Sequence, residues 1–502
     1  MIKIVQNTFL NLIAIFLGSV FAFAFSIIAA RLLGPEQYGV YGLALWFFGC
    51  VLTFVNLGIP NAIAKFVSEY QGRGEQEVIR RLVGFVVRIE AVLLCAVCAV
   101  FLLLARKIAL FLGRGELATV FFIAILAVIP TGLEAIFYSA LRGLLRYRTF
   151  VSVSLVMAPL TFLLSIGALR MGYGVPGVLV VSFASHLANL GTYYFFCRKT
   201  IPGPWWGPLD VGVRERFLKY TSVLVGIVLL DMITIQRIET FFLGKFRSLE
   251  EVGHYTLAFG LTWGLFSLLT KTVTGVLVPT TSELHGARNE EKLRAVYSHS
   301  ARLFALVVFP ATALGILLAP RFIPWFYGEG YQKAVLPFQI LMASACICTL
   351  STSSSSMAFG TGRQLFVLKL GGVAAFLTLL LDLVLIPLFG TLGAACVDLT
   401  VKSVLSASYL IYFWRTCGME WPGVEVTKVA IISLLSAVLS AFLSRGILLV
   451  ISFGMTYGFL LLLVKAVRPE DIRSLSFLAE RAPIRLKAFL LKTLASVEGY
   501  VR

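Results

Sequence analysis

Glu36-Gln37-Tyr38-Gly39-Val40-Tyr41-Gly42-Leu43-Ala44 returns 214 residues later as Glu250-Glu251-Val252-Gly253-His254-Tyr255-Thr256-Leu257-Ala258. Five of the nine positions are identical. At the same offset Ser68-Glu69 falls on Ser282-Glu283, Gly72 on Gly286, Glu77 on Glu291 and Arg80 on Arg294. That makes 10 identities in 45 aligned positions, gathered at what read as helix ends. Self-similarity at a fixed period marks a duplicated unit. In a membrane protein such halves flank a pathway, and substrate binds where they meet.

Outward from the motif the chain is apolar. A mean hydropathy of +0.92, with 59% hydrophobic and 14% charged residues, excludes an ordinary soluble domain. The apolar runs approach the ~20 residues that cross a ~30 Å hydrocarbon core as a helix. They lie at 8–30, 39–63, 82–104, 117–140, 150–169 and 176–197, then at 219–243, 254–281, 303–319, 334–358, 364–386, 390–413, 428–444 and 446–464. Only helices and closed barrels satisfy the backbone inside lipid, and the alternating segments of barrel strands are missing from the sequence. The expected fold class is an all-α polytopic membrane protein with about 14 transmembrane helices. Two pseudo-symmetric six-helix lobes are followed by two C-terminal helices.

An even number of spans puts both termini on one side. With the N-terminus inside, 28 Lys and Arg fall on inner segments and 10 on outer ones, so both termini are expected in the cytoplasm and the chain in the plasma (inner) membrane. The net charge of +18 then reflects topology and attraction to anionic lipid, with no nucleic acid required. The first apolar run is too long for a signal-peptide core and reads as a retained helix. All eight cysteines lie in or beside apolar spans, without the polar setting of a metal or redox site.

The predicted organisation is an N-terminal lobe at 1–197, a cytoplasmic linker at 198–218, a C-terminal lobe at 219–414, two appended helices at 415–465 and a cytoplasmic amphipathic tail at 466–502. The linker holds Pro202, Pro204, Pro208, Trp205 and Trp206, a composition that stops helices and favours an interface. Gly143-Leu144-Leu145-Arg146 corresponds to Gly360-Thr361-Gly362-Arg363, and Tyr173-Gly174-Val175-Pro176-Gly177 to Phe389-Gly390-Thr391-Leu392-Gly393. Because each lobe has an even number of helices, the repeats are parallel.

Ala30-Arg31-Leu32-Leu33-Gly34-Pro35-Glu36-Gln37-Tyr38-Gly39, at the end of a first helix, resembles the signature of the polysaccharide biosynthesis (Wzx-type) flippases, in the multidrug/oligosaccharidyl-lipid/polysaccharide exporter superfamily. Leu243-Gly244 with Val252-Gly253-His254-Tyr255, and Gly172 to Gly177, are similar to its further motifs. The resemblance implies two lobes around a cavity that opens alternately inward and outward. It also implies a substrate, polyprenyl-(pyro)phosphate-linked oligosaccharide, moved to the outer leaflet for surface polysaccharide or glycoprotein synthesis. Membrane lipids and glycan polymerase or ligase machinery are the implied partners. Members often carry an acidic residue before the basic one of the seventh helix, where this chain has Gln236 before Arg237.

An ionisable group within a span is costly and is by default a functional candidate. The seventh helix holds Asp231, Thr234, Gln236, Arg237, Glu239 and Thr240, which wrap over half its circumference and predict a cavity-lining helix. Arg237 reads as a substrate or gating cation, or as a snorkelling partner of Glu239. Asp231 and Glu239 are candidates for coupling to a proton or sodium gradient, with structural ion pairing as the alternative. Lys271, beside Thr270, Thr272 and Thr274, is the phosphate candidate, or a partner of Asp231. Arg88 reads as a head-group contact or a substrate contact at the inner mouth. Asn7, Asn11, Asn56 and Asn61 read as sugar partners or interhelical bonds. Asp398 and Lys402, four apart, read as an intrahelical pair. Glu134, His186 with Asn189, and Asp382 read as separate packing or gate contacts.

No catalytic residues, metal ligands or cofactor are expected. The sequence lacks the phosphate-binding G-x-x-x-x-G-K-[ST], and the four histidines have no metal spacing. Two rival readings stay open: a cation-coupled drug or small-molecule antiporter of the same superfamily, and a membrane glycosyltransferase or polymerase. No loop exceeds about 25 residues, which disfavours the second.

Overall fold

The computed structural model describes residues 2–234, 237–419, 421–443 and 447–464, with backbone alone at 2–16, 147, 234, 268, 271, 272 and 447. The predicted tail at 466–502 lies outside the described residues. The first half comprises α1 (Ile2–Asn56), α2 (Ile59–Gly72), α3 (Gln76–Phe111), α4 (Leu117–Gly143), α5 (Tyr147–Arg170) and α6 (Gly174–Thr200). There follow α7 (Val211–Thr234), α8 (Ile238–Phe246), α9 (Leu249–Gly286), α10 (Glu290–Tyr327) and a 3₁₀ turn (Glu329–Ala334). Then come α11 (Val335–Leu350), α12 (Thr352–Gly360), α13 (Gln364–Phe389), α14 (Thr391–Cys417), α15 (Gly423–Leu443) and α16 (Ile447–Leu463). No strand occurs among the described residues.

Eleven of the described helices or joined helix pairs are long and apolar enough to cross a membrane. The difference from fourteen has an identifiable origin. Leu17–Asn56, 40 residues, holds two predicted spans in one helical run. The segment 31–38, expected as a turn, is a kink at Gly34, which sits at φ 69° and ψ 170° ahead of Pro35. Apolar runs locate spans, but a single left-handed residue is enough to redirect a helix without a loop. The 38-residue α9 and the 17-residue α16 occupy the remaining two predicted spans.

Three predicted spans are broken. The second ends at Asn56, where Leu57 and Gly58 take φ of 41° and 79°, and α2 restarts at Ile59 ahead of Pro60. The seventh divides into α7 and α8, with Arg237 at φ 58° and ψ 56°. The tenth divides at Ser351 into α11 and α12.

The repeat reappears as backbone geometry. Gly74 and Arg288, one offset apart, both take positive φ, at 75° and 53°. The helix-end bonds around them match: Glu75 N–H donates to Tyr70 O and Asn289 N–H to Leu284 O, both at 3.0 Å. Leu145 and Gly362 likewise share a left-handed turn, as do Gly174 and Gly390. Those at Gly74, Arg288, Leu145 and Gly362 are αL helix ends that satisfy the last carbonyls.

The residues fall into two compact units. One comprises Met1–Gly264, Ile323–Pro337 and Gly371–Val397. Its core joins Ile63, Phe66, Leu82, Val83, Phe137 and Tyr193 with Trp205 and Phe217. The linker packs into this core through Trp205. Trp205 is buried, and its indole N–H donates to Ile201 O at 3.0 Å. At the start of α7, the Arg216 guanidinium donates to both Glu69 oxygens, at 2.7 and 3.0 Å. That bond holds the Glu69 carboxyl below its ordinary 4.5.

The other unit comprises Leu265–Phe322, Phe338–Leu370 and the described part of Asp398–Arg502. Its core includes Leu293, Tyr297, Met357 and Phe413. Hydroxyls bind its helices: Tyr297 with Ser354 at 3.0 Å, Ser300 to Ser353 at 2.9 Å, and Ser406 with Ser351 at 3.0 Å. Asp398 pairs with Lys402 at 2.8 Å and accepts from Ser344 at 2.6 Å, which satisfies both charges locally. The appended helices pack on α10, where the Tyr457 hydroxyl donates to Leu306 O at 2.9 Å.

Candidate functional site

In the first unit, the two copies of the motif cross each other. A Cβ added at Gly39 would overlap the carbonyl of Leu249 and approach Gly253 N at 3.0 Å. One added at Gly253 would overlap the carbonyl of Pro35 and approach Gly39 N at 3.1 Å. The same offset of 214 relates Pro35 to Leu249 and Gly39 to Gly253, so the contact is reciprocal about a local two-fold. Gly42 meets its own counterpart, Thr256, whose Oγ1 a Cβ there would overlap. In lipid, where apolar burial between helices gains little, close backbone approach over small residues supplies the packing energy.

Charged residues of the motif region hold neighbouring turns to the crossing. Arg31 donates through Nε to Phe326 O at 2.6 Å and through Nη2 to Trp325 O. The Tyr331 hydroxyl donates to Ala30 O at 3.0 Å. His254 Nε2 donates to Gly330 O at 2.9 Å, and Lys333 reaches Glu250 at 3.2 Å. Glu251 accepts from Thr391 N–H at 3.2 Å, while Arg247 donates to Leu388 O at 3.0 Å. A cavity of about 480 Å³ lined by Glu250, Glu251, His254, Lys333 and Thr391 lies over this network.

Arg237 sits where the symmetry is broken. The break between α7 and α8 leaves it as the residue before α8, with its guanidinium 4.9 Å from the Phe259 ring centroid. Its electrostatic neighbours are Tyr255, Tyr38, Glu239 and Tyr41. Tyr41 and Tyr255 are equivalent positions of the repeat, so one cation is shared by both motif copies. A guanidinium over an aromatic face is stabilised by the ring quadrupole, more so when desolvated. Glu239, in the first turn of α8, is buried beside it.

Asp231 is half-buried in the last turns of α7, and no described residue forms an ion pair with it. Asn56 ends α1 with its Oδ1 buried and bonded to no described residue. The adjoining turn packs on α7: a Cβ at Gly58 would stand 2.8 Å from that of Leu224. Asn61 is exposed, and its Oδ1 accepts from Arg142 at 3.4 Å. Arg88 is exposed and donates to Gly207 O of the linker at 3.2 Å, with Trp206 5.9 Å away. The structure thus gives Arg88 a contact with the linker. The side chains of Asn7, Asn11 and Lys271 lie outside the described residues. The backbone nevertheless shows a difference between the halves at Lys271. Its first-half counterpart, Leu57, forms the turn between α1 and α2, whereas α9 runs unbroken through 271.

Two features were not legible as a site. Glu134 and His186, which read as separate polar groups, are bonded: His186 Nδ1 lies 2.6 Å from Glu134 Oε2. They are 52 residues apart on α4 and α6, and no local pattern announces the pair. Glu90 is wholly buried, and neither of its oxygens bonds a described residue.

The chain is 22% identical over 417 residues to an uncharacterized membrane protein of Methanocaldococcus jannaschii, covering 78% of this chain and 80% of that one. It is 24% identical over 407 residues to the probable low-salt glycan biosynthesis flippase Agl15 of Haloferax volcanii, covering 76% and 78%. The structure of the lipid II flippase MurJ in an inward closed conformation shares the fold, with a TM-score of 0.73, 12% identity, and coverage of 92% of this chain and 98% of that one. An inward-facing multidrug resistance MATE family transporter of the MOP superfamily does so at 0.69, with 15% identity and coverage of 80% and 95%. Residues 28–336, more than half the sequence, match the family described as polysaccharide biosynthesis protein, and the chain belongs to that family.

Proposed function

We propose that this multi-pass membrane protein is a flippase. It carries polyprenyl-(pyro)phosphate-linked oligosaccharide from the cytoplasmic to the outer leaflet by alternating access of two lobes, 1–197 and 219–414. The observation that carries the reading is Arg237, a cation on broken backbone between the two motif copies. A pyrophosphate crossing the bilayer needs such a partner, and guanidinium pairs with phosphate through two parallel hydrogen bonds. The helix breaks at Leu57–Gly58 and at Arg237 are of the kind that line transporter sites. The Asn56 carbonyl, free of described partners, suits a sugar hydroxyl. Lys271 supplies the second phosphate cation, and Asp231 and Glu239 bear on ion coupling. Membership of a polysaccharide biosynthesis family and likeness to a probable glycan flippase support this substrate class.

A multidrug antiporter is the second reading, favoured by the shared fold with a MATE family transporter. Proteoliposomes holding a fluorescent polyprenyl-pyrophosphate oligosaccharide separate the two. Protein-dependent loss of the label from the donor leaflet is expected. An unchanged leaflet distribution together with protein-dependent cationic dye transport would overturn the flippase reading in favour of the second.

A further inference from the structure

Glu134 and His186 lie outside both the motif crossing and the Arg237 cluster, and three observations mark their contact as a site. First, polar groups continue from it in register. His186, Asn189 and Tyr193 share one face of α6, at i, i+3 and i+7, while Glu134 and Tyr138 share one face of α4. The Asn189 carbonyl oxygen is buried and bonds no described residue. Tyr193 bonds Ser154, and its ring is 5.7 Å from that of Tyr138. The stripe runs toward the end of α6 that carries Arg198 and Lys199.

Second, the imidazole stacks on Phe48 of α1, with centroids 6.4 Å apart and planes 24° apart. Phe48 lies nine residues beyond Gly39 on the same helix, so α1 links this contact to the motif crossing. Third, Glu90 of α3 faces the same stretch of α4, 3.5 Å from where a Cβ on Gly132 would stand. Titratable groups near the pair include Glu90 from α3, Tyr138 from α4 and Tyr193 from α6, while the charges of α2, which also packs on α4, are Lys65 and Glu69. From α1 come Phe48 and an uncharged run over 37–56, and from α5 Ser154 and an uncharged run over 149–169.

We propose that Glu134 and His186 form a proton-binding site whose loading sets the position of α1. Imidazole is the side chain whose charge changes between about pH 5 and 8. With imidazolium against carboxylate the pair is neutral and ties α4 to α6. Loss of that proton leaves one negative charge in an apolar setting, and gain of a second on the carboxyl leaves one positive. Either change weakens the charge-assisted bond. The proton enters from water and returns to it along the polar stripe, and no other bond is made or broken. A carboxylate engaged by imidazolium offers little to an alkali cation, so the ligand is the proton. The effect on transport rests on the flippase reading, whereas proton binding does not.

The four histidines make the site observable in the full chain. Ring-labelled histidine in nanodiscs gives four signals, and His186 is the one lost in His186→Gln. In Glu134→Gln the pH dependence of the His186 ring signals should change, reporting loss of its carboxylate partner. Glu134→Asp, which keeps a carboxylate, should restore most of the native dependence, and sodium should not shift it. An unchanged pH dependence in Glu134→Gln, or displacement of the proton by sodium, would overturn the site. In proteoliposomes, an imposed proton gradient should stimulate flipping by the native protein and not by Glu134→Gln or His186→Gln. Stimulation kept in both variants would also overturn it. If the native protein moves no glycolipid, the flippase reading falls and the histidine titration still decides the proton site.

Discussion

Arg237 is constrained by its backbone as much as by its neighbours. The left-handed conformation it adopts costs an L-residue roughly 1–2 kcal/mol, which its surroundings must offset. Its flat guanidinium lies over Phe259, with Tyr41 and Tyr255 among its electrostatic neighbours, and a lysine ammonium cannot reproduce that stacking. Arg237→Ala and Arg237→Lys are each expected to slow glycolipid flipping at least about tenfold, the equivalent of ~1.4 kcal/mol, with normal insertion in the membrane. Native-rate flipping by Arg237→Lys would remove the stack from the transport cycle. The cation itself is visible in the sequence, since an arginine in an apolar run attracts notice. The tyrosines around it are not, because they converge only when the two motif copies meet.

Helices contribute through where they bend. The motif crossing depends on two glycines at which any side chain meets a backbone carbonyl. Overfilling such a contact costs about 1–3 kcal/mol. Gly39→Leu and Gly253→Leu should therefore each open the crossing. Hydrogen exchange of residues 30–42 and 249–256 is expected to rise by similar amounts in the two variants, with a double variant adding less than both together. Unchanged protection in either single variant would show that the crossing bears no strain. Hydropathy locates the helices well, and the duplicated turns at Gly74 and Arg288 follow from the repeat. It does not distinguish a kink from a loop at Gly34, or a broken helix from a straight one at Arg237. Each depends on one or two backbone angles that leave the apolar pattern unaltered. Glu134 and His186 are lost for a similar reason: only the packing of α4 on α6 brings them together.

For the molecule as a whole, the lobes proposed from the repeat and the compact units of the structure divide the chain differently. The first unit keeps α7, α8 and α9 as far as Gly264, through contacts such as Phe66 with Phe217 and Arg216 with Glu69. The charge bias predicts both ends of the chain in the cytoplasm. Epitope tags at the two termini should resist protease in intact cells and be cleaved in inverted vesicles. Cleavage of either tag in intact cells would reverse the assignment. Equivalent residues meet at the Gly39–Gly253 crossing, which gives it the form of an isologous dimer contact enclosed in one polypeptide. A half-length ancestor would have carried both sides of that contact on a single surface. Fusion then freed the copies to diverge, and Arg237 shows what that permits: an off-centre charge that two identical subunits could only have supplied twice.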